Sequence, residues 1–395
     1  MAAALLGRQA WFEFGPNNIY PNLLILLQGP AAARKSTAIK IGTRLLQRTG
    51  YTRFASERMS RQTFLDEMHR INQPETMGVP LEEQFDMDLD YPNEMTIHAL
   101  EFIDFIGQND KDYLALLTTL YDNLPQYANP KMSSKSVVVR KPTINLLGAA
   151  TPENLNMAFP PNAMDTGTFS RILFVYADKV QRRMLIPDPL DKGAEKLLVD
   201  RLTTMQREVR GAMTLSGDAR IILDHIYQSF TDLPDPRFNH YGGRRLTHLI
   251  KLSMLYAALR LSKEIDVEDI LLANTTLSIA EHYMPKALGH FGRSRQSAIA
   301  HNMLEHLAKA PTPVGVPELY RAFMTDFTSE KEFSSVLFEL QTAQKIRLKE
   351  IPGTDKVGFV VIERPMDEWL KPLIEQTAAY FTEAELRDLY WRTKK

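Results

Sequence analysis

The chain has 395 residues, more than one ordinary hydrophobic core holds, so two or three domains are expected. Its 44% hydrophobic and 24% charged residues are typical of a globular protein and exclude a largely disordered one. The formal net charge of −1 provides no overall field that attracts nucleic acid, and the absence of cysteine excludes disulfides, thiolate zinc sites and cysteine nucleophiles.

The sequence contains no apolar run of the roughly 18 residues that cross a bilayer. The start of the chain, Met1 to Arg8, is short and lacks the basic leading region of a signal peptide. We therefore expect no membrane partner and a reducing compartment, the cytoplasm, or the host cytoplasm if the protein is viral.

The first strongly predicted strand, Leu23 to Leu27, is followed by a loop with the spacing of a phosphate-binding loop. The loop reads Gly-Pro-Ala-Ala-Ala-Arg-Lys-Ser from Gly29, and an amphipathic helix is predicted from Ser36 to Arg48. In this context backbone N–H groups and the helix N-terminus bind phosphates, Lys35 contacts the β- and γ-phosphates, and the Ser36 hydroxyl ligates Mg²⁺. The residues expected to bind ATP and Mg²⁺ here are Gly29, Arg34, Lys35, Ser36 and Thr37.

Arg34 departs from the pattern, because glycine usually precedes the lysine of such a loop. Glycine suits the position since the backbone there can need unusual dihedral angles and must approach the phosphates closely. Arginine fits if its dihedral angles are ordinary and its side chain points outward or onto a phosphate. The alternative is a loop that has lost nucleotide binding.

After this loop, strands alternate with helices through residue 177, which predicts an α/β layer with a parallel sheet. Ser60 is a predicted N-cap of a helix that runs to about Ile71. A later strand begins at Met95 and ends near Glu101, where a phosphate-loop enzyme needs an acid to activate water. Glu101 is the candidate catalytic base and Asp104 the second choice; the alternative is a solvent-facing glutamate at a strand end.

Two further polar residues adjoin predicted buried strands. Thr151 follows the strand Thr143 to Gly148 and is expected at the carboxyl end of that strand, where α/β proteins bind ligands, unless it only opens the turn before Pro152. Arg171 precedes the strand that runs to Ala177 and can contact a phosphate within its own chain or across a subunit interface, unless it forms a surface ion pair.

From Pro189 to Gly289 only helical periodicity appears, which predicts an all-helical domain. One helix begins with Arg244 and Arg245, where the helix dipole disfavours cations, so a bound phosphate or a nearby carboxylate should compensate them. Asp266 is a predicted cap of the next helix. The nine histidines show no metal-ligand spacing.

From Ser297 the sequence predicts three helices and then a β-hairpin, the pattern of a winged helix. The expected organisation is α/β overall. It consists of a phosphate-loop ATPase domain with a parallel sheet (1–188), an all-helical lid (189–292), a winged-helix domain (293–365) and a helical tail (366–395).

Several stretches of the chain, in the order in which they occur, together resemble the AAA+ ATPase module of phage and mobile-element replication proteins. They are the phosphate loop, Ala149 to Glu153 with Gly167 to Val175, and Arg245 to Ala257. The predicted lid is also similar to that of minichromosome-maintenance-type hexameric helicases. The resemblance covers about residues 20–290. It implies that Glu101 activates water and Thr151 acts as a sensor. It further implies that Arg171 acts as a finger on the neighbouring subunit's nucleotide, and that Arg244 or Arg245 serves as a second sensor.

Two functions follow from this resemblance. The first is a helicase that forms a homo-hexamer or another ring, hydrolyses ATP and contacts single-stranded or duplex DNA, with basic residues lining a pore: Lys131, Lys135, Arg140 and Lys141. The second is a helicase loader or replication initiator with little ATP turnover, working with other replication proteins. Its winged helix would hold duplex DNA through the helix Ser329 to Gln344, with Lys356 at the wing. That helix is rich in glutamate, so a protein contact is equally expected there.

Overall fold

The computed structural model describes residues 1–71, 92–129, 137–160, 167–177, 191–230, 233, 235–288, 295–353 and 356–362. The chain forms two compact units, Met1–Gly289 and His290–Lys395. The predicted tail, 366–395, and the pore residues Lys131 and Lys135 lie outside the described residues.

The described helices of the first unit are α1 (Ala2–Leu6), α2 (Lys35–Arg48), α3 (Arg61–Arg70), α4 (Phe102–Ile106), α5 (Lys111–Tyr121), α6 (Pro152–Ala158), α7 (Lys192–Glu208), α8 (Gly217–Ser229), α9 (Gly242–Leu259) and α10 (Val267–Leu288). Its described strands are β1 (Ala10–Phe14), β2 (Asn17–Ile19), β3 (Leu24–Gln28), β4 (Glu94–Ala99), β5 (Gln126–Asn129), β6 (Val137–Arg140), β7 (Thr143–Ala150), β8 (Ile172–Tyr176), β9 (Gly211–Leu215) and β10 (Glu264–Ile265).

The centre of the first unit is a parallel sheet with strand order β4-β7-β3-β8, as the alternation of strands and helices predicted. Phe54 extends it by a single parallel bridge to Thr96. Leu24 and Leu26 of β3 are buried on one face, while Ile25 and Leu27 are half-buried on the other. Since all four strands run in one direction, their carboxyl ends meet at one edge of the sheet.

The prediction of an all-helical region between 189 and 292 is wrong. β9 and β10 lie within it and form a second sheet with the order β10-β9-β1-β2, in which β9 pairs in parallel with β1 from the start of the chain. These strands are five and two residues long, and their pairing partners are distant in sequence. The local periodicity of the sequence therefore gives little indication of these two strands.

The short strand β6, which ends at Arg140, pairs differently from the parallel layer. β6 forms an antiparallel hairpin with β5 and is no part of the central sheet.

The second unit contains the helices and the hairpin that the sequence predicted. Its elements are α11 (Arg295–Lys309), α12 (Val316–Phe323), α13 (Glu330–Thr342), β11 (Ile346–Glu350) and β12 (Val357–Val361). Its core is apolar and draws on all of them, including Met303, Leu319, Phe333 and Phe359. Val314 adds a bridge to Phe359 on β12, so β11 is an edge strand.

No helix in the described ranges is long and apolar enough to cross a membrane.

Candidate functional site

The carboxyl edge of the central sheet collects the residues expected to bind and hydrolyse nucleotide. Gln28 pairs with Ala150 on β7 and with Tyr176 on β8, and Ala99 of β4 pairs with Gly148. The phosphate loop, Glu101 and Thr151 therefore leave the sheet at the same edge, the place where α/β proteins bind ligands. β7 lies between β3 and β4, so Thr151 leaves the sheet between the loop and the acid.

The phosphate loop is tight, and its first glycine is required. Gly29 has φ 156°, and a Cβ there would collide with the carbonyl oxygen of Ala177 at the end of β8. A side chain at this position would thus force the loop away from the neighbouring strand.

Arg34 does not have ordinary dihedral angles, which was the condition for its fitting in place of glycine. It is the N-cap of α2 with φ 58° and ψ 24°, in the left-handed region, and Ala32 has φ 66°. Such a conformation costs a non-glycine residue of order 1–2 kcal/mol. The usual glycine before the lysine is thereby explained, and this loop carries strain at two of its residues.

Lys35 folds back onto its own loop. Its ammonium donates hydrogen bonds to the carbonyl oxygens of Gly29, at 2.7 Å, and of Pro30, at 2.8 Å. Partial burial lowers the pKa of Lys35, while the charges of Glu101 and then Glu153 oppose that shift. Glu101 and Glu153 are therefore the carboxylates whose charges act on Lys35.

The carboxylate of Glu101 is positioned by a residue that follows the neighbouring strand, β7. It is half-buried just before α4, and its Oε2 accepts a hydrogen bond from Nδ2 of Asn154 at 3.1 Å. The sequence analysis missed Asn154. The only feature that could have pointed to it is an amide side chain in the first turn of a helix that begins after Thr151. The second-choice acid, Asp104, is instead exposed and paired with Arg58 at 2.9 Å.

Thr151 has a structural task that is compatible with a role in sensing. Its Oγ1 accepts a hydrogen bond from the backbone N–H of Asn154 at 3.2 Å and so caps α6. Its hydroxyl hydrogen is not used by that bond. One short segment thus supplies both the amide that orients Glu101 and the hydroxyl of Thr151.

Gln28 is a second residue that the sequence did not single out. It is 1% exposed at the end of β3, and neither side-chain amide atom has a hydrogen-bond partner among the described residues. Leaving a buried polar group unsatisfied costs about 1–3 kcal/mol. An orphaned amide directly before the phosphate loop is what a site for a polar ligand and its water would contain.

These residues fit a magnesium nucleotide. The loop has backbone N–H groups at the start of a 14-residue helix, a lysine, and the half-buried hydroxyl of Ser36 at the second helical position. Thr37 follows on the exposed side of α2. The described residues contain no cluster of three or more histidine or acidic side chains able to hold a metal alone. Magnesium with substrate phosphates needs only one or two protein ligands.

Arg171 lies at the opposite, amino edge of the sheet. Ile172, the next residue, pairs with Leu24 at the start of β3. The guanidinium is buried and binds both carboxylate oxygens of Asp122, at 3.0 and 2.6 Å, and the carbonyl oxygen of Gly167. The length of β3, roughly 13 Å at 3.3 Å per residue, separates it from the phosphate loop of its own chain.

Arg244 shares the carboxylate of Asp122, at 3.6 Å, and so lies at the amino edge too. Arg245 is buried against Glu281 at 2.7 Å and also donates to the amide oxygen of Asn274. Carboxylates therefore compensate both arginines at the start of α9. This geometry does not support contacts with the phosphate loop of the same chain.

The remainder of the amino edge is a buried polar cluster. Lys251 donates hydrogen bonds to the carbonyl oxygen and Oδ1 of Asn22, at 3.0 and 2.7 Å, and lies 4.0 Å from the ring centre of Tyr121. Nε2 of His248 is 2.8 Å from the carbonyl oxygen of Ser170. Burial lowers the pKa of His248 to about 4 and that of Lys251 well below its ordinary value. These contacts hold α9 against the starts of β3 and β8.

The chain matches no protein-family model, and no curated protein is similar to it in sequence.

Proposed function

We propose that the first unit binds a magnesium nucleoside triphosphate, ATP, at the carboxyl edge of the central sheet and hydrolyses it. The observation that carries this proposal is the meeting of two groups there. Lys35 begins a helix after a phosphate-type loop, and Glu101 follows the strand two places away, at the same edge of the sheet.

Each group has a distinct task in this mechanism. The backbone N–H groups at the start of α2 and the ammonium of Lys35 bind phosphate oxygens, and the hydroxyl of Ser36 ligates the metal. Bound Mg²⁺ neutralises phosphate charge. Glu101 accepts a proton from the attacking water, and Asn154 fixes the orientation of its carboxylate.

We further propose that hydrolysis drives a DNA replication motor, a ring of identical subunits of the AAA+ type with a winged-helix second unit. The position of two arginines supports a ring. Arg171 and Arg244 lie together at the sheet edge opposite the phosphate loop of their own chain, so any phosphate that they contact belongs to a neighbour. To act there, Arg171 would exchange its bonds with Asp122 for the neighbour's phosphate.

A nucleotide-gated loader or initiator with little turnover is the second candidate, and the phosphate loop favours it specifically. Arg34 is strained, and Lys35 must release the carbonyl oxygens of Gly29 and Pro30 before it binds a phosphate. Both features oppose rapid turnover, since Lys35 must release and re-form these hydrogen bonds in every cycle.

The test is ATP binding and hydrolysis by the full chain with and without single-stranded DNA, together with its mass in solution when ATP is present. Lys35→Ala is compared with Lys40→Ala, which removes an exposed lysine from the same helix. DNA-stimulated hydrolysis by a ring-sized assembly that is lost only in Lys35→Ala supports the motor.

Tight binding without turnover supports the loader instead, and turnover that appears in Arg34→Gly would identify the strained loop as the cause. Equal nucleotide binding by wild type, Lys35→Ala and Lys40→Ala would overturn both candidates.

A further inference from the structure

The positive charge of the second unit is concentrated on its hairpin. The described residues 345–353 and 356–362 contain four cations, Lys345, Arg347, Lys349 and Lys356, and one carboxylate, Glu350. Helix α13 has the opposite balance, with Glu330, Glu332 and Glu339 against Lys331. A polyanion is therefore attracted to the hairpin and repelled by the helix.

The register of the hairpin brings its cations to one face. Ile346 and Phe359 are buried in the core of the unit, so their face of the hairpin points inward. Side chains alternate along a strand, and Arg347 and Lys349 consequently project from the other face, about 7 Å apart. Both are exposed, and neither forms an ion pair with any residue in the described ranges.

Helix α13 offers little to a DNA groove. The carboxylate of Glu332 accepts hydrogen bonds from N and Oγ1 of Thr328, at 2.8 and 2.6 Å, and so caps the start of the helix. The exposed surface has Ser334, Ser335 and Phe338, of which Phe338 is 70% exposed. A single lysine, Lys331, is the helix's one cation, so an approach to phosphates is not favoured.

We propose that the hairpin's basic face, Lys345, Arg347 and Lys349, binds the phosphate backbone of duplex DNA and reads no base sequence. Cations without base-edge contacts supply affinity without sequence specificity. A single strand is the poorer fit, because stacking of bases needs exposed aromatic rings. The one aromatic residue in 345–362 is Phe359, and it is buried.

Edge strands also carry lysine for another reason, since charge prevents strands of two molecules from pairing. That explanation predicts self-association, rather than loss of DNA binding, when the charges are removed. The proposal does not depend on ATP hydrolysis and is tested without nucleotide.

The experiment is a titration of the full chain into a labelled 20-base-pair duplex of arbitrary sequence, and into one of its strands, over a series of salt concentrations. The variant Arg347→Gln with Lys349→Gln is compared with Arg321→Gln with Lys331→Gln. The second pair removes the same charge from exposed positions on α12 and α13. Thermal unfolding checks that both variants are folded, and sedimentation measures their self-association.

We expect the hairpin variant to bind the duplex at least about tenfold more weakly, with the slope of log K against log salt reduced by about 2. The control variant should change affinity less than about threefold. Unchanged duplex binding by the hairpin variant, an equal loss in both variants, or tighter binding of the single strand than of the duplex would overturn the proposal. Self-association of the hairpin variant with its DNA affinity intact would assign the charges to edge protection instead.

Discussion

The two edges of the central sheet are built on different principles. At the carboxyl edge, Arg34 is strained, the amide of Gln28 has no described partner, and Lys35 bonds to the carbonyls of its own loop. At the amino edge, Arg171 and Lys251 are buried and make two or more hydrogen bonds each.

The difference separates strained or unpaired groups from groups that the fold already pairs. Strain and unsatisfied polar atoms are a cost that a bound ligand can relieve, whereas paired buried charges stabilise only the fold that pairs them. Arginines alone were a poor guide to the site, because three of the four that the sequence proposed are paired with carboxylates.

The largest effect is expected at the carboxyl edge. Glu101→Gln should lower ATP hydrolysis by about 10²-fold or more while nucleotide binding persists, because the base is lost and the phosphate contacts remain. Steady-state hydrolysis and equilibrium binding measure the two separately.

The matched control is Glu153→Gln, which removes another negative charge near Lys35 from an exposed position. An equal loss of activity in both variants would show that local charge, rather than a base at Glu101, is what matters.

At the amino side, substitution should reduce stability. Glu281→Gln leaves Arg245 buried without its counter-charge and weakens the hydrogen bond that Glu281 accepts from the Tyr241 hydroxyl at 2.8 Å. Removing one partner of a buried pair costs about 3–5 kcal/mol in the free energy of unfolding. Urea denaturation measures it.

Glu208→Gln is its control in the same unit, since Glu208 pairs with Arg207 at an exposed position. That change should cost less than about 0.5 kcal/mol. Similar losses of unfolding free energy in the two variants would mean that the buried pair stabilises the unit no more than the exposed pair does.

The amino-edge cluster also predicts a dependence of stability on pH. Burial lowers the pKa of His248 to about 4, and the positive charges of Lys251, Arg244 and Arg171 add to the effect. The unfolded state, with a pKa near 6.5, then binds more protons between these values, so stability falls as pH drops from about 6.5 to 4, by up to about 3 kcal/mol.

Urea titrations at several pH values test this expectation. His248→Gln, which keeps an N–H donor for the carbonyl of Ser170, should flatten the dependence over that range. An unchanged slope in that variant would assign the effect to other groups.

The smallest effect is expected in the phosphate loop. Arg34→Gly should raise the unfolding free energy by about 1 kcal/mol or less, since relief of the left-handed conformation outweighs the greater flexibility of glycine in the unfolded chain. Lys40→Gly, in the regular part of α2, should lower it by about 1 kcal/mol. Destabilisation by Arg34→Gly would show that the arginine side chain makes a compensating contact.

Local sequence signals were enough to predict the positions of many elements. Ser60 caps α3 through Thr63, and Asp266 accepts a hydrogen bond from the N–H of Asp269 at the start of α10, both as predicted. The apolar run before Gly29 is a central strand, and the hairpin after α13 lies where the turn residues predicted it. Caps, turns and apolar runs depend on neighbours in sequence, so they can be predicted without knowledge of the fold.

Tertiary structure alone decided the partners. The pairing of β9 with β1 joins residues about 200 positions apart, and Lys251 reaches Asn22 across 229 positions. Likewise, the sequence proposed Arg171 and Arg244 as phosphate ligands, whereas the fold pairs both with Asp122 and places them away from the phosphate loop of their own chain. The sequence determined which charged residues were candidates for a site. Only the folded chain determined whether a carboxylate was already there, because long-range pairing leaves no local periodicity to read.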